Sequence, residues 1–486
     1  MIVCRNQTFI AGIYHREMDS SSRKLRQPSR PSHLPSVIFP LFLALVPAFL
    51  LCVSPANAQD TVFTGTSSGA KSIRIAVADF KPIAADPQTS TCKQTFDATF
   101  YADLANAGIF DIVSKSLMPP ATPGAPSEVR LQSYADAPSS AAFVAFGSIG
   151  MVGSKLVVNG FLFDANNPQN PQVVAKQYSE DPTEQSARAI AHRFADEIIL
   201  RLSGGTPGIA ESTIYYVQLS GGNKEIWAMD YDGVNQRQIT HLGTISMGPR
   251  VSPDNSRIAF ESLGKNGFQI RVYSLILGRL VNFPEVGGTN ITPAWSPDGR
   301  EIAFSSSRTG DPEIWIADAG GNLARRITNF RGPDVSPTYN PKTGAQIAWV
   351  SGRTGLPQLY IMNSDGSGAQ RLTDMGYATS PSWSPNGQFI TFAWDRKYGP
   401  GAPGGQDIYV IQTTPNAKGE YPMIQLTHDG GRCDFPSWSP DGKHIVYANS
   451  ADGRADHMRI WTMLADGTQR RPLTGPGADM PNWSWK

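Results

Sequence analysis

Cysteine is scarce in this chain: four occur in 486 residues, and only Cys92 and Cys433 lie beyond residue 58. With so few, and with no C-x-x-C pair, a disulfide-stapled scaffold and a thiolate metal site are not expected. Both thiols should be free and structural. Neither sign of charge is in excess. The 42 Lys/Arg and 41 Asp/Glu leave a formal charge of +1, and no basic stripe follows residue 30, so nucleic acid is not an expected partner. Apolar runs long enough to approach a membrane span are missing apart from Val37–Val53. Tryptophan is absent from residues 59–212, and all ten lie between Trp227 and Trp485. His192, His241, His428, His444 and His457, the histidines beyond residue 58, never fall at a metal-ligating spacing, so no metal or cofactor is expected.

What is present begins with a leader. Arg23, Lys24, Arg26 and Arg30 precede the apolar run, and Ala56-Asn57-Ala58 is a small-x-small site before Gln59. That order is a secretory signal peptide over residues 1–58, cleaved after Ala58. Pro40 and Pro47 interrupt a run already near the ~17-residue lower limit for a span, which argues against an uncleaved anchor. After cleavage, 36 basic residues face 39 acidic ones, a formal charge of −3.

The step in tryptophan content marks a boundary, with Ser203–Gly208 (SGGTPG) as its linker. Before it the periods are mixed. Ile73–Phe80, Phe143–Ile149 and Leu156–Phe163 read as strands. Phe96, Phe100, Leu104 and Ala107 form a helical stripe over Gln94–Ala107. Ile190, Phe194, Ile198 and Leu202 form another over Thr183–Leu202, stopped by Gly204. A small α/β sandwich is expected over residues 72–203, with 204–212 as linker.

After the boundary the chain repeats. A W-S-P-D-G-like segment recurs from Val251 to Trp295, Tyr339, Trp383, Trp438 and Trp483, in steps of 44, 44, 44, 55 and 45 residues. The first five are followed by an Ile-Ala-Phe-like strand and an Ile-Trp-like strand, and then by an Ile/Leu-Thr ending that is degenerate near Leu280. A period of ~40–45 residues is that of a four-stranded propeller blade. One blade alone exposes an apolar face, and stacking in a ring buries it. Trp483 is a first strand with no second after it, whereas Ile214–Val217 is a second strand with no first. Joining them closes a six-bladed ring over residues 213–486. The fold class is therefore α+β and all-β in separate domains.

Propeller geometry groups the loops. Connections from strand 4 to 1 and from strand 2 to 3 share one face of the disc, and they collect His241, Arg308, Arg331, Arg353, Arg396 and His428. Arginine is favoured at interfaces because its planar fork pairs with carboxylates in a bidentate way. The opposite face carries the Pro-Asp-Gly turns, too alike to confer specificity. The 55-residue step adds a long loop at Asp395–Gln406 and another around Pro415–Tyr421.

Other motifs carry less. Gly65-Thr66-Ser67-Ser68-Gly69 matches G-x-S-x-G but precedes a strand instead of following one, so a catalytic serine is not expected. Asp230-Tyr231-Asp232-Gly233 opens like a calcium loop but lacks the later ligands and recurs as a hairpin turn. His192 reads as structural.

The P-x-W-S-P-D-G…I-A-F…I-W…D-G…L-T repeat, behind a leader and a small α/β domain, resembles the TolB family over essentially all of 59–486. That resemblance implies a soluble periplasmic component of the Tol-Pal system, without enzymatic activity. It implies binding of Pal, a peptidoglycan-associated lipoprotein, on the propeller face with the 4→1 loops, and of the inner-membrane protein TolA by the tail 59–71. By position, Asp60, Val62, Phe63 and Thr64 are the tail contacts. Outer-membrane integrity and envelope constriction at division would be the role, with a monomer that meets membranes only through partners. An exported propeller enzyme, or a peptide- or sugar-binding protein with a funnel site, is the alternative.

Overall fold

A computed structural model describes residues 72–398 and 405–485; the leader, the tail with Asp60, Val62, Phe63 and Thr64, and the G-x-S-x-G motif lie outside the described residues. The first part runs β1 (Ile73–Val77), β2 (Lys81–Pro82), α1 (Pro87–Asn106), β3 (Phe110–Ile112), α2 (Leu131–Ala135), β4 (Phe143–Val152), β5 (Lys155–Asp164), β6 (Gln172–Glu180) and α3 (Glu184–Leu202). The sheet order is β3-β1-β4-β5-β6, with β2 also on β4; β1 is parallel to β3 and β4, and the rest of the path is antiparallel.

Local chemistry sets the helix starts. The Asp86 carboxylate accepts from Thr89 N at 2.8 Å with Pro87 in the first turn, and the Thr183 hydroxyl accepts from Ser186 N at 3.0 Å. α1 begins well before the stripe that predicts it, because its opening turns carry Thr, Ser and Gln. The core against the helices is a cluster of rings from Phe80, Phe96, Phe100 and Phe194. Gly147 and Gly160 pair across β4 and β5 beneath it. A Cβ on Gly160 would sit 2.7 Å from the Phe194 ring, so no larger residue lets the helix come this close. The other sheet face packs Val144, Phe146 and Phe163 against Tyr134 of α2.

Residues 213–483 form six four-stranded antiparallel sheets. Blade 1 starts at Ser246–Val251, and the first strands of blades 2 to 5 are Asn290–Trp295, Asp334–Tyr339, Tyr377–Trp383 and Arg432–Trp438. Blade 6 joins Ala478–Trp483 to Thr213–Ser220, with Trp483 opposite Ile214 and Asn482 opposite Tyr215. The expected closure is therefore present. It is reinforced by Trp483 Nε1 donating to Ser212 Oγ at 2.7 Å and Thr213 N donating to Ser484 Oγ at 2.9 Å. Apolar clusters span neighbouring blades, as where Ile314 and Ile316 of blade 2 pack on Ile347 and Trp349 of blade 3. Burying such side chains contributes roughly 1.5–3 kcal/mol each.

Every first strand carries the same irregularity. Gly248, Thr292, Ser336, Ser380, Phe435 and Met480 all have positive φ, between 49° and 61°, each precedes a proline, and the ladder shifts register there. These bulges bend the innermost strands around the axis.

The α/β part docks on the propeller through the face with the Pro-Asp-Gly turns. Asp103 of α1 accepts from Tyr231 Oη at 2.6 Å and from His192 Nδ1 at 2.8 Å. Arg188 of α3 pairs with Asp230 and Asp232, and His444 Nε2 donates to the Asn106 carbonyl at 2.6 Å. His192 is thus structural in a specific sense: it orients a carboxylate shared between the two parts. The calcium-like hairpin Asp230–Gly233 is the docking hairpin, and among the described residues no cluster suits a metal ion.

Candidate partner-binding face

The loops of the predicted face are held by a repeated clamp. At the start of a third strand a polar side chain meets the threonine that ends the fourth. Thr240 donates to Glu225 and Thr328 to Glu313 at 2.6 Å each, and Thr373 to Gln358 and Thr427 to Asp407 at 2.7 Å each. The same oxygens accept the backbone N–H of Ile226, Ile314, Leu359 and Ile408 at 2.8–2.9 Å. The carboxylates also reach the following 4→1 loop, where Gly243 N donates to Glu225 at 2.7 Å and Phe330 N to Glu313 at 3.0 Å. Burial raises the Glu313 pKa. The clamp explains the Ile/Leu-Thr ending of the repeat.

The six predicted side chains are differently committed. His241, Arg331, Arg396 and His428 are exposed. Arg353 is half-buried and engaged: it pairs with buried Asp334 at 3.0 Å, donates to Ser351 Oγ at 2.8 Å and lies 3.8 Å from the centre of the Phe330 ring. Arg308 lies 3.7 Å over the Trp315 ring, and its buried Nε and Nη2 have no hydrogen-bond partner among the described residues; burial lowers its pKa. No hydrogen bond or ion pair links the six to one another among the described residues.

Sequence reasoning missed the apolar members. Leu242, Phe330 and Met375 are 36%, 54% and 47% exposed, each two residues beyond the clamp threonine of its blade. That fixed offset from the repeated Thr is the signal that finds them. The face therefore presents exposed apolar side chains interleaved with cations, on loops already pinned from beneath.

Family models match both parts of the chain: one described as the TolB beta propeller domain over residues 201–486, one as the TolB amino-terminal domain over 66–170. The chain belongs to the TolB family. The Tol-Pal system protein TolB of Gluconobacter oxydans (strain 621H) is 33% identical over 393 residues, 79% of this chain and 81% of that protein. A TolB homolog of Chlorobium chlorochromatii (strain CaD3) is 32% identical over 202 residues, 41% of this chain; the match spans 44% of that relative's length. The crystal structure of TolB from Acinetobacter baumannii superposes with a TM-score of 0.69 at 23% identity, covering 86% of this chain and 97% of that one, which shows the fold. No described helix is long and apolar enough to cross a membrane.

Proposed function

We propose that this chain is an exported, periplasmic interaction protein of the Tol-Pal system, acting as a scaffold and not as an enzyme. Its propeller binds a Pal-like peptidoglycan-associated lipoprotein through the face carrying His241, Arg308, Arg331, Arg353, Arg396 and His428. Its tail, with Asp60, Val62, Phe63 and Thr64, binds a TolA-like inner-membrane protein. The role is outer-membrane integrity and envelope constriction at division. The observation that carries the reading is the pinned face itself, in a chain whose curated relative is a Tol-Pal system protein. Leu242, Phe330 and Met375 supply desolvated contact there, and the cations supply orientation and steering.

Titration calorimetry with a purified Pal-like periplasmic domain tests it. A central anchor typically costs at least ~2 kcal/mol when truncated, about 30-fold in Kd. Phe330→Ala or Arg308→Ala should weaken binding by more than about tenfold, with an unchanged melting temperature. Asp298→Asn, on the opposite face, should leave affinity unaltered. Loss at Asp298 with no loss at Phe330 and Arg308 would reverse the face assignment.

A further inference from the structure

At the axial mouth opposite the proposed partner face, the first strands enclose a chamber of about 90 Å³. Its ring is formed by the residues two places after each bulge: Arg250, Ala294, Thr338, Ser382, Ser437 and Asn482. Indoles of the repeated Trp position make its walls, and prolines of the Ser-Pro-Asp-Gly turns make its rim.

Arg250 is the anomaly in this ring. Three other part-buried cations of the propeller have carboxylates: Arg432 meets Asp434 at 2.9 Å, Arg353 meets Asp334 at 3.0 Å, and Lys224 lies 4.0 Å from Asp479. Arg250 has no carboxylate within 4.0 Å among the described residues, and its one hydrogen bond is from Nη1 to the Pro249 carbonyl at 2.9 Å. The neighbouring carboxylate, Glu261, accepts from Thr292 N at 2.6 Å instead. Arg250 is half-buried, and burial lowers its pKa, opposed by the more distant carboxylate of Glu261. The indole N–H of Trp438, buried in the wall, has no partner among the described residues, whereas Trp295 Nε1 and Trp383 Nε1 each donate to a neighbouring blade's carbonyl at 3.0 Å. Thr338 and Ser382 line the same space.

We propose that this chamber is a binding site for a small oxyanion, a carboxylate or a phosphate on a body of few heavy atoms, with Arg250 as the cation. Thr338 and Ser382 supply the further donors. The guanidinium fork matches the two oxygens of either anion, and the indole walls exclude water around the contact. This site is independent of the partner face.

The test titrates the mature chain with sodium succinate and, separately, with inorganic phosphate at constant ionic strength made up with chloride. Tryptophan fluorescence and melting temperature are followed together. A saturable change in both, with a Kd below about 1 mM for at least one anion, is expected, and the two arms show whether carboxylate or phosphate is preferred. Arg250→Gln should weaken it by more than about tenfold, Arg250→Lys should keep part of it, and Thr338→Val, which changes no charge, should weaken it several-fold. If Arg250→Gln fails to fold, Thr338→Val carries the same test. No saturable response to either anion, or an undiminished response in Arg250→Gln, overturns the proposal.

Discussion

At the scale of single residues, the propeller buries a few carboxylates on its inner strands. Glu261 is 2% exposed on the second strand of blade 1, and burial raises its carboxyl from 4.5 to about 7, partly offset by the Thr292 N–H and by Arg250 and Lys224. Its sign in stability follows by linkage. Between pH 4.5 and about 7 the unfolded chain has released this proton and the folded chain retains it, so stability falls as pH rises through that window. Above about 7 both states are ionised and the cost stays constant. Glu261→Gln keeps an acceptor for Thr292 without the charge. Relative to wild type, it should be more favourable at pH 8 than at pH 5 by about 2–3 kcal/mol in chemical denaturation. An equal effect at both pH values would show that Glu261 is ionised throughout. The face residues show what a charge-led sequence reading leaves out. Arginine invites attention as an interface cation, yet Arg353 is held by Asp334, Ser351 and the Phe330 ring. Phe330 and Met375 draw no notice as isolated apolar residues until the clamp threonine supplies a common origin.

At the scale of elements, the repeat was legible because every blade must solve the same packing problem with the same chemistry. Ile302-Ala303-Phe304 and Ile347-Ala348-Trp349 occupy equivalent buried positions, so their spacing recurs. β3 and β6 were not legible, for opposite reasons. β3 has three residues, too few for any period, and β6 lies at a sheet edge where Lys176, Gln177 and Glu180 leave little alternation. The clamp sits between these extremes. Glu225 with Thr240, Glu313 with Thr328 and Gln358 with Thr373 recur at one spacing, but hydrogen bonding across a hairpin has no hydrophobic signature. Thr328→Val isolates its contribution. Valine fills the space while leaving the Ile314 N–H and one Glu313 oxygen unmatched, each buried. That should cost about 2–3 kcal/mol in urea denaturation. It should also loosen the loop that carries Phe330, since Glu313 holds Phe330 N. A loss below about 0.5 kcal/mol would mean that the clamp only reports the loop geometry and does not hold it.

At the scale of the whole molecule, the two parts are joined by polar chemistry that neither repeat nor period announces. Asp103 is an unremarked aspartate on a helix whose buried face also carries Thr89 and Thr99, and Tyr231 lies in a turn whose sequence suggests a cation loop. In the fold, Asp103 is 3% exposed and serves Tyr231 and His192 at once, with Arg188 bridging to Asp230 and Asp232 alongside. Desolvation raises the Asp103 pKa, opposed mainly by its hydrogen bond from His192. A joint of this kind makes the stability of each part depend on the other. It predicts that the intact chain unfolds in one calorimetric transition. Asp103→Ala removes the shared acceptor and strands a buried hydroxyl and a buried imidazole. Leaving a buried hydrogen-bonding group without its partner costs about 1–3 kcal/mol. The loss falls on the joint, not on either core, since the Phe96 cluster and the blade interfaces are untouched. The expected scan therefore shows two transitions in place of one. The propeller transition should stay near its original temperature and that of the α/β part should be lowered. Tyr231→Phe, which removes only the donor from the propeller side, should shift the same transition by a smaller amount. One transition lowered uniformly in Asp103→Ala would place Asp103 within a single cooperative core and refute the joint.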